Sequence, residues 1–359
     1  KNEYRIEPDV LVRHALITGS TGSGKSTSGK KILKELLQKK VPVLIIEPAK
    51  DDYVRWAMEM NKQLPEDMQF QIFMPGHMEF NGELLQKLQL NPFEPAAVSG
   101  AKVDMTARCE NLIALLNASL PTSDILPVLM DETVYNLYRG FYGEEFVNGF
   151  PMKQQEKYPT LDFLTKMARV VMDKKHYEQK VKDNLMACLE TRFQYLNRGT
   201  RGRLLAVGRS TDYDSLFSHP TIINISGISS AKDKALIMSL LMLSLYEYRK
   251  SIYENSAEYR SRADRNELLH LTLVEEAHNV LMKPESDAGG TGNPQQVVAN
   301  LFSNMLSEIR SYGEGLMIVD QVPSRLIPDA IKNTNYKIVH RMTAPDDCQA
   351  MASSLALRE

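Results

Sequence analysis

Apolar residues along the chain fall into two patterns. The first is a short, nearly continuous run, seen at 14–18, 41–47, 70–74, 221–225, 268–274, 315–320 and 336–340. Runs of this length, rich in Val, Ile and Leu, predict strands buried on both faces, as parallel strands are. The second is a longer segment with an apolar residue every three or four positions. It predicts helices over 27–38, where Ile32, Leu33, Leu36 and Leu37 share a face, and over 103–120, 125–138, 161–172, 177–194, 231–253 and 297–311. Met238, Leu240, Leu241 and Met242 read as the buried side of one of these helices. Pro48 ends the second strand, and Ala49-Lys50-Asp51-Asp52-Tyr53 reads as a loop at its carboxyl end. Asn91-Pro92-Phe93 breaks regular structure after Leu88-Gln89-Leu90. The charged stretch 254–266 reads as a solvated loop or helix end.

The order of these elements carries the architecture. Strands and helices alternate at both ends of the chain, whereas 103–194 is helical throughout, with a polar, proline-containing connection at 150–160. No internal repeat is present. The pattern predicts an α/β fold with a mostly parallel sheet and helices on both faces, interrupted by an all-helical insertion. The expected divisions are 1–100 for the first part of the core, 101–205 for the insertion and 206–359 for the second part.

The first strand runs into Gly19-Ser20-Thr21-Gly22-Ser23-Gly24-Lys25-Ser26, the phosphate-loop pattern G-x-x-x-x-G-K-[ST], and Thr27 continues into the first helix. Strand, glycine loop and helix in that order give the pattern its mechanism. Glycines let backbone N–H groups face phosphate oxygens, and the helix start adds positive potential. Lys25 is expected to reach the β- and γ-phosphates of ATP, and the Ser26 hydroxyl to ligate Mg2+.

A second half-site is expected at Leu271-Thr272-Leu273-Val274-Glu275-Glu276-Ala277-His278. An apolar strand ending in two carboxylates complements a phosphate loop: the first, Glu275, holds Mg2+ through water, and the second, Glu276, polarises the attacking water. Glu275 is one methylene longer than the aspartate usual at this place. Gln321 follows the 315–320 strand and reads either as a sensor of the γ-phosphate or as an ordinary loop amide. Arg310 reads either as a cap on the carboxyl end of its helix or as a finger reaching a neighbouring subunit's nucleotide. His278 reads as a residue that orients or packs beside the site. Arg192, Arg198, Arg201 and Arg203 surround Asn197-Arg198-Gly199-Thr200, a loop that suits a phosphate backbone and equally suits plain exposure.

Composition narrows the partners. The 359 residues are 43% hydrophobic and 25% charged, ordinary for a globular chain, and the net charge of −2 excludes a whole-chain basic field. Contact with DNA would have to come from a local patch or the inner rim of a ring. Three dispersed cysteines, Cys109, Cys188 and Cys348, lack metal-ligand spacing and fit reduced thiols in a cytoplasmic protein. No apolar run is long enough to cross a membrane.

Taken together, the motifs resemble the HerA/FtsK superfamily of hexameric DNA-pumping ATPases, and HerA most closely. The resemblance rests on 14–19 running into Thr21-Gly22-Ser23-Gly24-Lys25-Ser26, on Leu44-Ile45-Ile46-Glu47-Pro48, Leu90-Asn91-Pro92-Phe93 and Val274-Glu275-Glu276-Ala277-His278-Asn279, and on 307–315, Asp320-Gln321-Val322-Pro323-Ser324-Arg325-Leu326 and Ile338-Val339-His340-Arg341. These stretches follow the family's order across nearly the whole chain. The resemblance implies a RecA-like P-loop NTPase core with a helical insertion, assembled as a homohexamer with ATP between subunits. It implies that Arg310 is the trans-acting finger, Gln321 the sensor and Arg341 a second nucleotide-facing arginine. It implies a cytoplasmic motor that hydrolyses ATP to translocate duplex DNA and works with a nuclease or other effector, including in anti-phage defence. Members commonly carry a small β-barrel before this core and a segment after it that reaches the neighbour; the sequence here runs from Lys1 to Glu359. Two other readings keep the core: an ATP-gated scaffold that assembles and activates an effector, and a conjugative type IV secretion ATPase docked on a membrane machine. Ser311-Tyr312-Gly313-Glu314-Gly315 and Asp320-Gln321-Val322-Pro323 favour HerA. A helicase of the Asp-Glu-Ala-His type would need a Ser-Ala-Thr segment and a second RecA-like domain, which this sequence lacks.

Overall fold

A computed structural model describes residues 6–120, 125–153, 155–283 and 294–355; the terminal residues Lys1 and Glu359 lie outside them. The strands are β1 (Ala15–Thr18), β2 (Val43–Glu47), β3 (Gln71–Phe73), β4 (Glu79–Phe80), β5 (Glu83–Leu84), β6 (Lys102–Val103), β7 (Met152–Lys153), β8 (Thr221–Asn224), β9 (His270–Glu275), β10 (Glu314–Asp320) and β11 (Tyr336–Val339). Seven of them form one sheet in the order β11-β1-β10-β9-β2-β8-β3, and every pairing within it is parallel. The helices are α1 (Lys25–Gln38), α2 (Asp52–Asn61), α3 (Met105–Ser119), α4 (Leu126–Val147), α5 (Leu161–Asp173), α6 (Gln179–Leu196), α7 (Gly199–Leu205), α8 (Tyr213–Ser218), α9 (Ala231–Asn255), α10 (Ala257–Ala263), α11 (Pro294–Glu308), α12 (Pro328–Lys332) and α13 (Pro345–Ser354).

The strand period of two divides the core between the faces of the sheet. Ala15, Ile17, Val43, Ile45, Leu273, Met317 and Val319 point to one side, where Leu33, Leu36 and Leu37 of α1 and Val54 and Ala57 of α2 cover them. Leu16, Leu44, Ile46, Val274 and Ile318 point to the other and pack with α9, α11 and the helices that follow residue 103. That second cluster runs without a break from the sheet through Leu112, Met130, Leu164 and Phe193. The insertion therefore shares the core of the sheet. A buried ion pair reinforces the join: Arg108 of α3 meets Glu247 of α9 at 3.0 Å and also donates to the Pro92 carbonyl at 2.6 Å.

Several elements differ in detail from the sequence expectation. The helix expected over 125–138 extends to Val147, with a break at Gly143, whose φ is 64° and ψ −145°. Within the insertion, β7 pairs antiparallel with β6, inside the stretch read as an irregular connection. α2 begins at Asp52, where a loop was expected, and α10 occupies part of 254–266, capped by Ser256 accepting from the Tyr259 N–H. α10 is short and flanked by charge, whereas α2 buries Tyr53, Val54, Ala57, Met58 and Met60 at helical spacing that the reading of 49–53 as a loop passed over.

The buried end of the sheet opposite the phosphate loop is polar. Glu314, at the start of β10, accepts from Arg249 Nε at 2.6 Å, from Thr272 Oγ1 at 2.7 Å and from His270 Nδ1 at 2.9 Å. Burial alone would raise its pKa, but His270 and Arg249 hold it at about 2. Burial and the neighbouring Arg249 push His270 down to about 4, so the ring is neutral and its Nδ1–H is the donor. Removing one partner of such a pair strands a buried charge. We expect Arg249→Met to lower the unfolding free energy by about 3–5 kcal/mol, and Arg249→Met with Glu314→Leu to recover much of it. Urea denaturation of both variants checks this.

Candidate functional site

The carboxyl ends of β1, β9 and β10 lie side by side, because Thr18 aligns with Asp320 and Val319 with Glu275. Loops leaving the three strands must therefore meet, and they enclose a cleft of about 310 Å3. Thr21, Gly22, Gly24, Lys25, Ser26, Thr27, Glu275, Glu276 and Gln321 line it. Those expected site residues come together; Gly19, Ser20 and Ser23 complete the loop behind them.

The phosphate loop is held from beneath by the end of β11. Ser20 donates its N–H and its hydroxyl to the Arg341 carbonyl at 2.9 and 3.0 Å, and the His340 N–H donates to the Thr18 carbonyl at 2.8 Å. Gly19 has φ +151°, and a Cβ there would stand 2.6 Å from His340 Cβ and 2.7 Å from Ser23 Oγ. Gly24, at φ +102°, is the left-handed residue from which α1 starts. Lys25 donates to the Gly19 and Ser20 carbonyls at 2.6 and 3.1 Å. Burial lowers its pKa, while Glu276 and Glu275 oppose that shift.

Glu275 is buried, and burial raises its pKa against the hydrogen bond from Ser26. Ser26 Oγ donates to Glu275 Oε1 at 3.1 Å. A hydroxyl and a carboxylate converging at the start of α1 are hard oxygen donors, the set that suits Mg2+, which keeps most of its ligands as water or phosphate. These residues fit the ion that the motif implies.

Glu276 turns the chain sharply, at φ 48° and ψ 48°. A non-glycine residue pays about 1–2 kcal/mol for that conformation, so its surroundings must enforce it. Gln321 Nε2 donates to Glu276 Oε1, and Thr21 Oγ1 donates to Gln321 Oε1 at 2.6 Å. Phosphate loop, glutamine and carboxylate thus form one hydrogen-bonded row. His278 and Asp320 stand behind it at 3.0 Å, and acceptance by Asp320 raises the His278 pKa.

Arg310 and Arg341 are not in the cleft. Arg310 is exposed where α11 ends, and its guanidinium has no hydrogen-bond or ion-pair partner among the described residues, so it does not cap its helix there. The exposed Arg341 contributes its backbone carbonyl to the loop. The arginine-rich stretch expected as a loop is largely helical, with Arg192 in α6 and Arg201 and Arg203 in α7. Arg201 lies 3.6 Å over the Tyr195 ring and pairs with Asp233 at the start of α9. Arg198 donates to Gln194 at 3.0 Å and Arg203 to Thr200 at 3.4 Å.

Sequence reading missed Lys30, Lys50, Asp52 and Asp320 in the cleft lining. Lys50 and Asp52 follow a strand whose carboxyl end faces the cleft, a position that itself marks ligand contact. Buried Glu47 fixes that turn, accepting from Tyr53 N–H at 3.2 Å and Asn224 Nδ2 at 2.9 Å. Burial raises its pKa to about 8.

A family model described as "Helicase HerA, central domain" matches residues 3–244. The chain belongs to the HerA central-domain family. This bears out the resemblance carried by its motifs. A curated relative, the probable DNA double-strand break repair helicase HerA of Methanocaldococcus jannaschii, is 23% identical over 354 residues, covering 94% of this chain and 63% of the relative. The chain thus spans under two thirds of that HerA's length. Among solved structures, VirB4 of Thermoanaerobacter pseudethanolicus has a TM-score of 0.67 at 15% identity, covering 96% of this chain and 81% of that one. Plasmid coupling protein TrwB in complex with ADP and Mg2+ has a TM-score of 0.47 at 12% identity, over 96% of this chain and 70% of that one. The VirB4 likeness establishes a shared fold, as expected for an α/β core of the P-loop type.

The HerA-type loop is closely packed at its first glycine. We expect Gly19→Ala to weaken ATP binding about tenfold or more, the equivalent of displacing the loop against His340. Titration calorimetry with ATP, beside circular dichroism showing that the variant stays folded, checks this.

Proposed function

We propose that this chain is the motor core of a ring-forming, Mg2+-dependent ATPase that translocates duplex DNA and works with a nuclease or other effector protein. The observation that carries the chemistry is the row from Thr21 through Gln321 to Glu276 across the mouth of the phosphate loop. Backbone N–H groups of residues 19–27 bind the phosphates, and Lys25 neutralises their charge. Mg2+ held by Ser26 and Glu275 would supply further electrostatic stabilisation of the phosphates. Glu276 accepts the proton of the attacking water, and Gln321 orients that water and senses the γ-phosphate.

A position outside the cleft, exposed and without a partner among the described residues, supports Arg310 as the finger of a neighbouring subunit, and with it a homohexamer. Arg341, displayed beside the loop, is proposed as a second nucleotide-facing arginine. The family match supports the HerA-type motor over the conjugative reading, and the curated relative's name supports duplex DNA as the track. No helix among the described residues is long and apolar enough to cross a membrane, in keeping with a cytoplasmic motor. Bacterial anti-phage defence is the proposed setting.

Glu276→Gln should reduce ATP turnover by about 10²–10⁴-fold, the usual worth of a general base, while ATP binding and assembly persist. Arg310→Ala should cost about 10³-fold, as loss of an arginine finger does, with binding by an isolated subunit unchanged. Steady-state hydrolysis and nucleotide titration read both, and full turnover in either variant removes that residue from its role.

The duty of the ring is tested by hydrolysis with and without linear duplex DNA. Strong stimulation is expected of the motor; indifference to DNA would favour an ATP-gated scaffold that assembles and activates its effector.

A further inference from the structure

The loop carrying Glu276 is held by two side chains that neither the phosphate-loop motif nor the metal site requires. Asp320, fully buried at the end of β10, commits both oxygens to this loop and its own. Its Oδ1 accepts the Val322 N–H at 2.8 Å, and its Oδ2 accepts the His278 N–H at 2.8 Å and His278 Nδ1 at 3.0 Å. Since the carboxylate only accepts, His278 carries its proton on Nδ1. Asn279 closes the turn from the other side, donating its N–H and its Nδ2 to the Glu276 carbonyl at 3.0 and 2.7 Å. Five non-glycine residues among those described have positive φ, and Glu276 is the one that lies in the cleft.

The imidazole held in this way also faces the carboxylate. His278 Nδ1 lies 3.5 Å from Glu276 Oε2, while Gln321 Nε2 donates to Oε1. The His278 Nδ1–H is committed to Asp320, so the ring meets Glu276 Oε2 by close approach and electrostatics, while Gln321 from the loop after β10 donates to Oε1. The carboxylates of Glu276 and Asp320 and the His278 ring lie close enough to chelate an ion, but Asp320 already accepts from three N–H groups.

We infer that His278, oriented by Asp320, is a positioning residue that fixes the direction in which the Glu276 carboxylate points into the cleft. The inference rests on Glu276 being the general base. It makes the Asp320–His278 pair a rigid support: the strand that delivers Gln321 also aims the base, so the two groups that handle the attacking water move together. A misdirected base costs turnover and leaves nucleotide affinity alone, because the phosphate loop and Lys25 are untouched.

The test compares His278→Ala, His278→Asn and Glu276→Gln in the full chain, with kcat and KM for ATP hydrolysis and a direct ATP titration. His278→Ala should lower kcat by about 10²-fold, the scale of an angstrom-level misplacement of a reacting group, with KM and ATP affinity within about twofold. In His278→Asn the amide Nδ2 stands in for Nδ1 and should restore most of kcat. Unchanged kcat in His278→Ala overturns the inference. So does loss of ATP affinity in step with kcat, or failure of asparagine to rescue, since either marks a merely structural histidine. Glu276→Gln separates the two layers of the argument: an active Glu276→Gln defeats the reading of Glu276 as base, whereas a dead Glu276→Gln beside a fully active His278→Ala defeats only the positioning role.

Discussion

The site depends on the register of β10 between β1 and β9. A parallel strand buried on both sides has no freedom to slide: a shift of one residue would exchange Met317 and Val319 with Leu316 and Ile318 between the two cores. In the observed register Thr18, Asp320 and Glu275 finish close together, so the phosphate loop, the glutamine and the carboxylates share one edge. The opposite end is pinned chemically. Glu314 finds its donors on β9 and α9 only when β10 is placed as it is. Apolar packing sets which face each residue takes, and the buried carboxylate sets which residue lies beside which.

A second buried histidine extends this constraint to α11. The Leu316 N–H donates to His14 Nδ1 at 3.0 Å, so the ring's other nitrogen is the donor, to the Leu306 carbonyl at 2.7 Å. Burial lowers the His14 pKa and keeps the ring neutral, which this two-sided bonding requires. Leu306 lies in the last turn of α11, just before Arg310. The strand that leads into the phosphate loop and the helix that ends at the exposed Arg310 are therefore joined by one side chain.

Much of this was legible in the sequence because the strongest signals were local. Glycine spacing marked residues 19–24, an apolar run ending in Glu275-Glu276 marked the opposite wall, and alternating strands and helices marked a parallel sheet. The less legible parts depended on distant partners. Nothing near Asp320 in sequence reveals that it anchors His278, 42 positions away. The shared core of insertion and sheet was hidden because helical spacing shows which face of a helix is buried, not what buries it. The four arginines around Gly199 looked like one patch; Arg201 left it because Tyr195 and Asp233 arrive from α6 and α9.

The helical insertion bears on what a ring of such chains would be able to do. A separately cored insertion would swing on its connections and transmit little. Here Arg108 is buried against Glu247 of α9, and the apolar cluster is continuous from Leu16 of the phosphate-loop strand to Phe193 of α6. Interiors packed this way transmit displacement rather than absorb it. A movement of the phosphate loop and its strand would therefore reach the far side of the insertion largely as rigid-body motion. That is the mechanical property a translocating ring needs, and one an ATP-gated scaffold would use equally well. The core can thus serve either duty, because the ATPase site is the same in both.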